Sequence, residues 1–546
     1  MKAFFQKIVN AISGKVILYS FLASVFYALS LPNPLFPSGW GPLALGALFP
    51  LFLLLYKYPL LWVILAATIF AIFFYSLANY WLFIFNPLSL VFVIGIRVVQ
   101  YIFLFFILRL QAQYLNAFSP MCHALTWVGW EYLLNQGFLG YPFGIIAHSQ
   151  YLFIPFIQQA DLWGIWGISL LTVFPNFYLG FLLKDGLKNF KNNLLQYYPQ
   201  LIVYLAVFIL SLGYGFFRVV KTDDLFKLTI CAVQPNSDPW KGGDPAYEKN
   251  LNNMINLSLK AEAASLGKLD LVIWPETAVV PALRFHQKMR YDLERYNRVV
   301  RPFYQFIEKR AAYYLVGNNE RELVSKDPSQ GYVVKDYNAA LLFAKDQVKG
   351  IYRKTRLVPF TEYFPYKDIF PGFATWLSQQ DVHFYEPGSE DDKYSLFEID
   401  GHFFSVLICF EDTFPDLARL KTMAGAEFLV NLTNDAWSHS EAAQIQHLAM
   451  AVFRAVENRR SLLRATTSGQ TALIDPNGRI IAQLKPFCQD YLLAELPLNN
   501  EITFAVKSGD WFGLFGLGFG LLTIIFITIK VILNAIKMKT FRSKTN

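Results

Sequence analysis

Long stretches without a charged residue lie towards both ends of this 546-residue chain, at residues 16–56, 58–96, 162–183, 192–217 and 511–529. A helix needs about 20 apolar residues to cross the hydrocarbon core of a bilayer. The first two stretches are each long enough for two crossings. The pattern predicts seven membrane spans, at residues 16–31, 39–56, 59–80, 88–108, 118–137, 162–183 and 199–217. An eighth is predicted near the end of the chain, at 511–533.

Residues 222–509 follow a different pattern, in which short β-rich apolar runs alternate with amphipathic stretches. Apolar residues spaced three or four apart predict two prominent helices, at 247–266 and 441–459. Strands are predicted at 226–234, 269–274, 312–317, 339–344, 403–409, 428–432, 462–465, 471–474 and 491–495. Such alternation is typical of a layered α/β domain. We therefore divide the chain into an N-terminal membrane domain (1–221), an α/β domain (222–509) and a C-terminal span with a basic tail (510–546).

Composition and charge narrow the class of protein further. Hydrophobic residues make up 54% of the chain and charged residues only 16%, against about 25% charged residues in an average soluble domain. This excludes a disordered chain and argues against a purely soluble enzyme. The net charge of +8 comes from the membrane segments and their flanks, because residues 222–509 hold 32 basic and 36 acidic side chains. The α/β domain therefore has no basic patch for nucleic acid.

The positions of lysine and arginine predict the orientation of the spans, because these residues favour cytoplasmic loops. Three lysines among the first 15 residues place the N-terminus inside, and Lys57 and Arg109 fall on the same side if seven spans precede the α/β domain. Seven crossings put residues 222–509 outside the cytoplasm. The fifth predicted span contains His123 and Glu131. If it does not cross, the α/β domain faces inward instead.

Two predicted segments present charged residues suited to catalysis. The run Leu-Val-Ile-Trp-Pro-Glu ends at Glu276, where a partly desolvated carboxylate of raised pKa can act as a general base. A solvated loop acid or a helix cap is the alternative for this position. The segment 352–365 contains Lys354, which near an acyl carbonyl can stabilise an oxyanion or lower a thiol pKa. An ordinary surface strand is the alternative there.

A third segment ends in a candidate nucleophile. The predicted strand 403–409 closes with Cys409, which is followed by Glu411 and Asp412. A thiol at a strand end beside acids suits a thiolate nucleophile served by a base, whereas Cys231, in the middle of a strand, fits a small core residue. The seven histidines show no metal-ligand spacing, and no phosphate-binding glycine loop occurs, so we expect neither a metal nor another cofactor.

In this order, the three segments resemble the nitrilase superfamily, whose members use a Glu–Lys–Cys triad on an α-β-β-α sandwich. The match lies in Trp-Pro-Glu at Glu276, in the segment around Lys354, in Leu-Ile-Cys-Phe-Glu around Cys409, and in Asn-Leu-Thr-Asn-Asp-Ala-Trp at 431–437. The resemblance implies an α-β-β-α sandwich inserted between transmembrane helices, with Glu276, Lys354 and Cys409 as its catalytic triad.

Between seven spans and a final one, such a domain resembles the apolipoprotein N-acyltransferase family over essentially the whole chain. Further matches are Leu-Val-Pro-Phe-x-Glu ending at Glu362, and Val-Gln at 233–234 followed by Trp240. The family has glycine at the position of Thr361 and usually tyrosine at that of Phe410. The phenylalanine lacks a phenolic hydroxyl, so a hydrogen-bonding role for that position is not expected here.

The resemblance implies an enzyme of bacterial lipoprotein maturation, set in the inner membrane with its catalytic domain facing the periplasm. It would move an acyl chain from a phospholipid, typically phosphatidylethanolamine, through a Cys409 thioester to the α-amine of the S-diacylglyceryl cysteine of an apolipoprotein. Glu362 and Glu411 are implied as supporting residues that orient Lys354 or adjust the charge balance. Trp240 is expected to contact lipid or substrate, with plain core packing as its alternative.

Two other interpretations and one local question remain at this point. A membrane-tethered amidase acting on small amides keeps the triad and changes the substrate. A transporter or receptor would need a polar pathway, for which the spans offer only Arg97, Glu131 and His123. The aromatic-rich stretch 363–377 suits either a membrane-dipping lid or an ordinary packing loop.

Overall fold

The computed structural model describes residues 2–115, 118–238, 242–267, 269–290, 292–327, 331–379 and 383–545. The chain divides into two compact units, one formed by Met1–Arg218 with Asp510–Asn546 and the other by Val219–Gly509. The first unit is helical, and the second contains two sheets with helices on their outer faces.

The helices of the first unit that precede residue 219 are α1 (Lys2–Ser30), α2 (Phe49–Lys57), α3 (Leu60–Ala78), α4 (Trp81–Phe85), α5 (Pro87–Tyr114), α6 (Ser119–Leu133), α7 (Ile154–Ile157), α8 (Ala160–Trp163), α9 (Ile165–Leu182) and α10 (Phe190–Arg218). Apolar faces of α1, α2, α3, α5 and α9 meet in one core, in which the rings of Phe52 and Phe177 stack at 3.7 Å between centroids. Burial of these aromatic rings holds the bundle together.

Within the described residues, six helical segments are long and apolar enough to cross a membrane: Ile12–Ser30, Leu60–Ala78, Pro87–Tyr114, Ile165–Leu182, Leu187–Asp224 and Trp511–Met538. The prediction of about eight spans is therefore not confirmed. At 39–56 a 3-10 turn (Gly41–Leu45) precedes α2, which has nine residues and a proline in its first turn. At 118–137, α6 has 15 residues, or about 22 Å of helix, and the chain turns at Gly137 with φ +70°.

The strands of the second unit are β1 (Lys227–Gln234), β2 (Leu271–Val279), β3 (Tyr313–Asp327), β4 (Gly331–Ala344), β5 (Gln347–Arg353), β6 (Phe397–Ile399), β7 (His402–Ile408), β8 (Phe428–Thr433), β9 (Ser461–Thr466), β10 (Ala472–Ile474), β11 (Ile480–Gln483) and β12 (Asp490–Pro497). They form two six-stranded mixed sheets, ordered β12-β1-β2-β3-β4-β5 and β11-β10-β9-β8-β7-β6. The strands β1 to β3 and β7 to β9 run parallel, and antiparallel strands flank them.

The remaining helices are α11 (Gly243–Ala264), α12 (Leu283–Met289), α13 (Leu293–Arg295), α14 (Arg301–Ile307), α15 (Pro371–Ser378), α16 (Pro415–Ala424), α17 (Glu441–Asn458) and α18 (Phe504–Ser508) in the second unit, and α19 (Trp511–Thr545) in the first. Alternate strand residues such as Ile230 and Val406 fill a core between the two sheets. Cys231 points the other way and is buried against α11 and α14, as predicted for a core cysteine. The predicted α-β-β-α sandwich is confirmed.

Candidate active site

Glu276 lies inside β2 rather than after its end, which corrects the prediction of a strand stopping at Trp274. The pairing of β2 with β3 is irregular between Trp274 and Val279. Pro275 has no N–H to offer the ladder, and Thr277 adopts a φ of +47°. The strand therefore bulges, and this bulge carries the buried Glu276 carboxylate.

The Glu276 carboxylate has three partners in the interior. Its Oε1 accepts a hydrogen bond from Nδ2 of Asn338 at 2.7 Å, and its Oε2 accepts one from the backbone N–H of Asn434 at 2.7 Å. Nζ of Lys354 lies 3.4 Å from Oε1. Burial raises the pKa of Glu276 above its ordinary value, against the opposing charge of Lys354. A desolvated carboxylate of this kind is a stronger proton acceptor than one in water.

Lys354 follows β5 and is completely buried, which excludes the surface-strand alternative. Its backbone N–H donates to the carbonyl of Asn338, and its Nζ donates to Oε1 of Glu362 at 2.9 Å. Burial opposes its charge, but the carboxylates of Glu362 and Glu276 outweigh that cost, so the pKa of Lys354 is raised. The site therefore contains a permanent buried cation.

Cys409 opens a 3-10 turn, Cys409–Thr413, directly after β7. It adopts a φ of +51°, a left-handed conformation that costs a non-glycine residue of the order of 1 kcal/mol. The side-chain amide of Asn431 donates to the carbonyl of Cys409 at 3.1 Å and helps to hold this conformation. Burial, and then the charge of Glu276, raise the pKa of the Cys409 thiol, while Lys354 lowers it. The resting cysteine is therefore protonated and needs a base.

Glu411 is completely buried and accepts an unusual number of hydrogen bonds. Its Oε1 accepts from the backbone N–H groups of Thr355 and Arg356 and from the Thr355 hydroxyl. Its Oε2 accepts from the N–H of Ile408 at 2.8 Å, and Tyr352 lies 2.7 Å from both oxygens. Glu411 therefore joins the segment that follows Lys354 to the turn that begins at Cys409.

Glu362 contacts Lys354 directly, as the hypothesis of an orienting residue requires. Its Oε1 also lies 3.3 Å from Nδ2 of Asn338, and its Oε2 accepts from the N–H of Val358 at 2.8 Å. Of the two departures from the family pattern, Thr361 makes a long contact of 3.5 Å to the carbonyl of Val358. The ring of Phe410 packs edge to face on Phe414 at 4.8 Å.

Trp240 lies outside the described residues. The aromatic stretch 363–377 is described, and it includes α15. Large apolar side chains of this stretch are exposed, among them Ile369 (68%) and Phe370 (57%). Phe364 and Leu377 are buried, and the Phe364 ring packs on that of Phe373 at 5.3 Å between centroids. The stretch therefore has one face on the domain and another that is open.

Three asparagines near the site were given no role by sequence reasoning. Asn338 directly precedes the apolar run 339–344 of β4, Asn431 lies in the middle of β8, and Asn434 follows that strand. The last two belong to the stretch 431–437. A polar residue inside the predicted strand 428–432 is the signal that could have identified Asn431, because buried amides need partners. Asn338 lies one residue before the predicted strand 339–344 and gave no such signal. Here those partners are Glu276, Glu362 and the carbonyl of Cys409.

Taken together, the cluster holds a buried proton acceptor, a buried cation and a half-buried thiol, and the charges of Glu276 and Lys354 act on Cys409. A thiol deprotonated by the carboxylate can attack a carbonyl carbon, and the ammonium can stabilise the resulting oxyanion. Among the described residues there is no group of histidines, cysteines and acids that could hold a metal ion. The arrangement fits acyl transfer through a covalent thioester.

Comparison with known proteins covers both units. Residues 229–504 match the carbon-nitrogen hydrolase family, and residues 23–178 match the apolipoprotein N-acyltransferase N-terminal domain. Apolipoprotein N-acyltransferase 1 of Treponema denticola is 38% identical over 91% of this chain and 93% of its own length. The protein of the same name from Treponema pallidum is 36% identical over 89% of this chain and 90% of its own length.

Among solved structures, Saccharomyces cerevisiae Nit3, a member of branch 10 of the nitrilase superfamily, covers 53% of this chain and 95% of its own, with 19% identity and a TM-score of 0.36. The family assignment rests on the sequence matches, which extend from the membrane helices through the catalytic domain. This chain belongs to the apolipoprotein N-acyltransferase family, within the nitrilase superfamily.

Proposed function

We propose that this protein transfers an acyl chain from a phospholipid to the N-terminal α-amine of S-diacylglyceryl-cysteine in apolipoproteins. The acyl donor is phosphatidylethanolamine or a related phospholipid, and the acceptors are diacylated apolipoproteins. The observation that carries the proposal is the buried cluster in which Glu276 and Lys354 act on the thiol of Cys409. Long apolar helices in the same chain agree with two lipid substrates.

In the first half-reaction, Glu276 accepts the proton of the Cys409 thiol, and the thiolate attacks the ester carbonyl carbon of the phospholipid. Negative charge develops on the carbonyl oxygen and is stabilised by Nζ of Lys354. The ester C–O bond then breaks, and the leaving oxygen takes the proton from Glu276. The products are a lysophospholipid and an S-acyl thioester on Cys409.

In the second half-reaction, the α-amine of the apolipoprotein attacks the thioester carbonyl carbon. Glu276 accepts a proton from the amine, the C–S bond breaks, and the proton passes to the departing Cys409 sulfur. An amide forms, and the enzyme returns to its starting state. Water must be kept from the thioester between the two steps. We assign this role to the aromatic stretch 363–377 as a membrane-contacting lid, and a lipid or substrate contact to Trp240.

The proposed location is the bacterial inner membrane, with the catalytic domain on the periplasmic side. Five of the long apolar segments precede the catalytic domain, and the prediction from the sequence has seven. Both numbers are odd, and an odd number of crossings supports a catalytic domain opposite an N-terminus whose lysines favour the cytoplasm.

The experiment is intact-mass analysis of the full-length protein after incubation with phosphatidylethanolamine, for the wild type, Cys409→Ala and Cys488→Ala. Cys488 is a half-buried free thiol of the same domain and serves as the matched control. We expect a mass gain of one acyl chain in the wild type and in Cys488→Ala, sensitive to hydroxylamine and absent from Cys409→Ala. A folded wild type without the gain contradicts the proposal and favours the alternative of a membrane-tethered amidase for small amides.

A further inference from the structure

A second buried cluster of charges lies next to the catalytic cluster. His447 on α17 contacts two aspartates, with Nε2 2.7 Å from Oδ1 of Asp412 and Nδ1 3.1 Å from Oδ1 of Asp435. Arg464 on β9 contacts the same two carboxylates. Its Nη1 donates to Oδ2 of Asp412, and its Nη2 donates to Oδ2 of Asp435 at 3.3 Å. All four side chains are buried. None of them has a role in the mechanism above.

This network joins the two backbone segments that form the catalytic cluster. Asp412 belongs to the turn that begins at Cys409, and Asp435 directly follows Asn434, whose N–H binds Glu276. His447 and Arg464 thereby connect the nucleophile's turn to the loop that holds the base. Displacement of either aspartate would move one reacting group relative to the other.

Charge balance within the network depends on His447. Both of its ring nitrogens face carboxylates, an arrangement that only the doubly protonated imidazolium satisfies. Burial opposes that charge, but the carboxylate of Asp412 outweighs it and raises the pKa of His447 to about 9. Two cations then balance two anions. The groups that face the imidazole are Asp412 from the turn after β7, Asp435 from the loop after β8, and Arg464 from β9.

The network also acts electrostatically on the nucleophile. The negative charge of Asp435 is one of the influences that raise the pKa of Cys409. While His447 carries its proton, that charge is compensated. A neutral side chain at 447 would leave one net negative charge behind the thiol and make the thiolate harder to form.

We propose that His447 is a positioning residue of the reaction, which as an imidazolium neutralises Asp412 and Asp435 together with Arg464 and so keeps the Cys409 thiol ionisable by Glu276. The inference rests on the proposed role of Cys409 as nucleophile. His447 thereby influences the reaction without touching the substrate or the reacting sulfur. The net charge of the network decides how readily the Cys409 thiol ionises.

The test measures alkylation of Cys409 by iodoacetamide against pH, by peptide mass, in the full-length protein without lipid. Alkylation rate follows the thiolate fraction. We expect His447→Gln, which leaves one net negative charge, to slow Cys409 about tenfold at neutral pH and to move the profile up by about one pH unit. Asp435→Asn keeps His447 paired with Asp412, leaves one net positive charge and should speed alkylation of Cys409. The double variant is again neutral and should return towards wild type.

Cys488 in the same samples is the internal control, and its rate should be the same in all four proteins. If His447→Gln and Asp435→Asn both slow Cys409, or the double variant is slower than either, the network only supports packing and the inference is wrong. If His447→Gln does not fold, Asp435→Asn decides alone, because an unchanged or slower rate contradicts the inference. If the alkylation rates of Cys409 shift as expected but phospholipid does not acylate the protein, the proposed function is rejected and the inference about His447 stands.

Discussion

Nζ of Lys354 lies 2.9 Å from Oε1 of Glu362 and farther, at 3.4 Å, from Oε1 of Glu276. The cation is shared between two acids, and its stronger contact is with the one that we do not assign as the base. The pairing keeps Lys354 charged and leaves Glu276 incompletely neutralised. A carboxylate in that condition retains the basicity that abstraction of a thiol proton requires.

The first prediction concerns Glu362→Gln and the pH dependence of acylation. Burial raises the pKa of Glu276, and the negative charge of Glu362 raises it further. Removing that charge lets Lys354 act on Glu276 alone, so the pKa of Glu276 falls. Since Glu276 must be ionised to accept a proton, the acid limb of the pH–rate profile should move to lower pH. The weaker base should slow acylation about tenfold at neutral pH.

Glu386→Gln is the matched control, because Glu386 pairs with Lys367 at 3.7 Å near the domain surface. Its profile should coincide with that of the wild type. An acid limb that stays in place or moves to higher pH in Glu362→Gln would show that Glu362 does not tune the base.

The second prediction concerns Glu411→Gln. One carboxylate oxygen accepts from the N–H of Ile408 and the other from the N–H groups of Thr355 and Arg356. Glutamine keeps one acceptor oxygen, and its NH2 cannot accept the bonds on the other side. We expect a loss of about 3 kcal/mol in stability, since buried donors lose their partners, together with a large loss of Cys409 acylation. Thermal unfolding in detergent and intact-mass acylation measure the two effects.

Asp416→Asn is the comparison for Glu411→Gln, because Asp416 forms a half-exposed ion pair with Arg356. Exposed pairs contribute only about 0–1 kcal/mol, so its melting temperature should remain close to wild type. A Glu411→Gln protein that melts with the wild type would contradict the role of Glu411 in joining the two segments.

The third prediction tests the lid hypothesis through Phe370→Ser combined with Phe373→Ser. Both side chains are exposed in the aromatic stretch. Loss of apolar area that would enter a bilayer should lower acylation from phospholipid vesicles about tenfold, with less than about twofold effect on a soluble short-chain ester. Ile481→Ser with Tyr394→Ser, two exposed positions elsewhere in the domain, is the control. Equal losses on both substrates would reject the lid.

The fourth prediction concerns the contact between α6 and α19. A Cβ on Gly129 would overlap the backbone nitrogen of Leu517, whereas a Cβ on Gly518 would meet nothing within 4 Å. Gly129→Leu should therefore force the helices apart and lower stability by about 2 kcal/mol or more, and Gly518→Leu should not. Melting temperatures of the two proteins in the same detergent decide it. Equal melting temperatures would show that the close approach of α6 and α19 at Gly129 does not contribute to stability.

Regular features of the α/β domain were predictable because they depend on local pattern. The helix predicted at 441–459 is observed as Glu441–Asn458, and the strand predicted at 428–432 as Phe428–Thr433. β5 was missed, since its sequence Gln-Val-Lys-Gly-Ile-Tyr-Arg mixes charges and a glycine into a strand at the sheet edge. Strand pairing, and not composition, makes that segment extended.

The sequence by itself determined the long apolar helices, the α/β character of residues 222–509 and the residues to consider as a triad, because apolar length, periodicity and motif order are properties of contiguous residues. Only the tertiary structure decided that 39–56 and 118–137 form short helices, that β2 bulges at Glu276, and that Lys354 is buried between two acids. It also decided that Glu411 accepts from Ile408 and Thr355 and that His447 lies between two aspartates. These contacts join residues from separate strands and turns, and no local pattern encodes a distance between them.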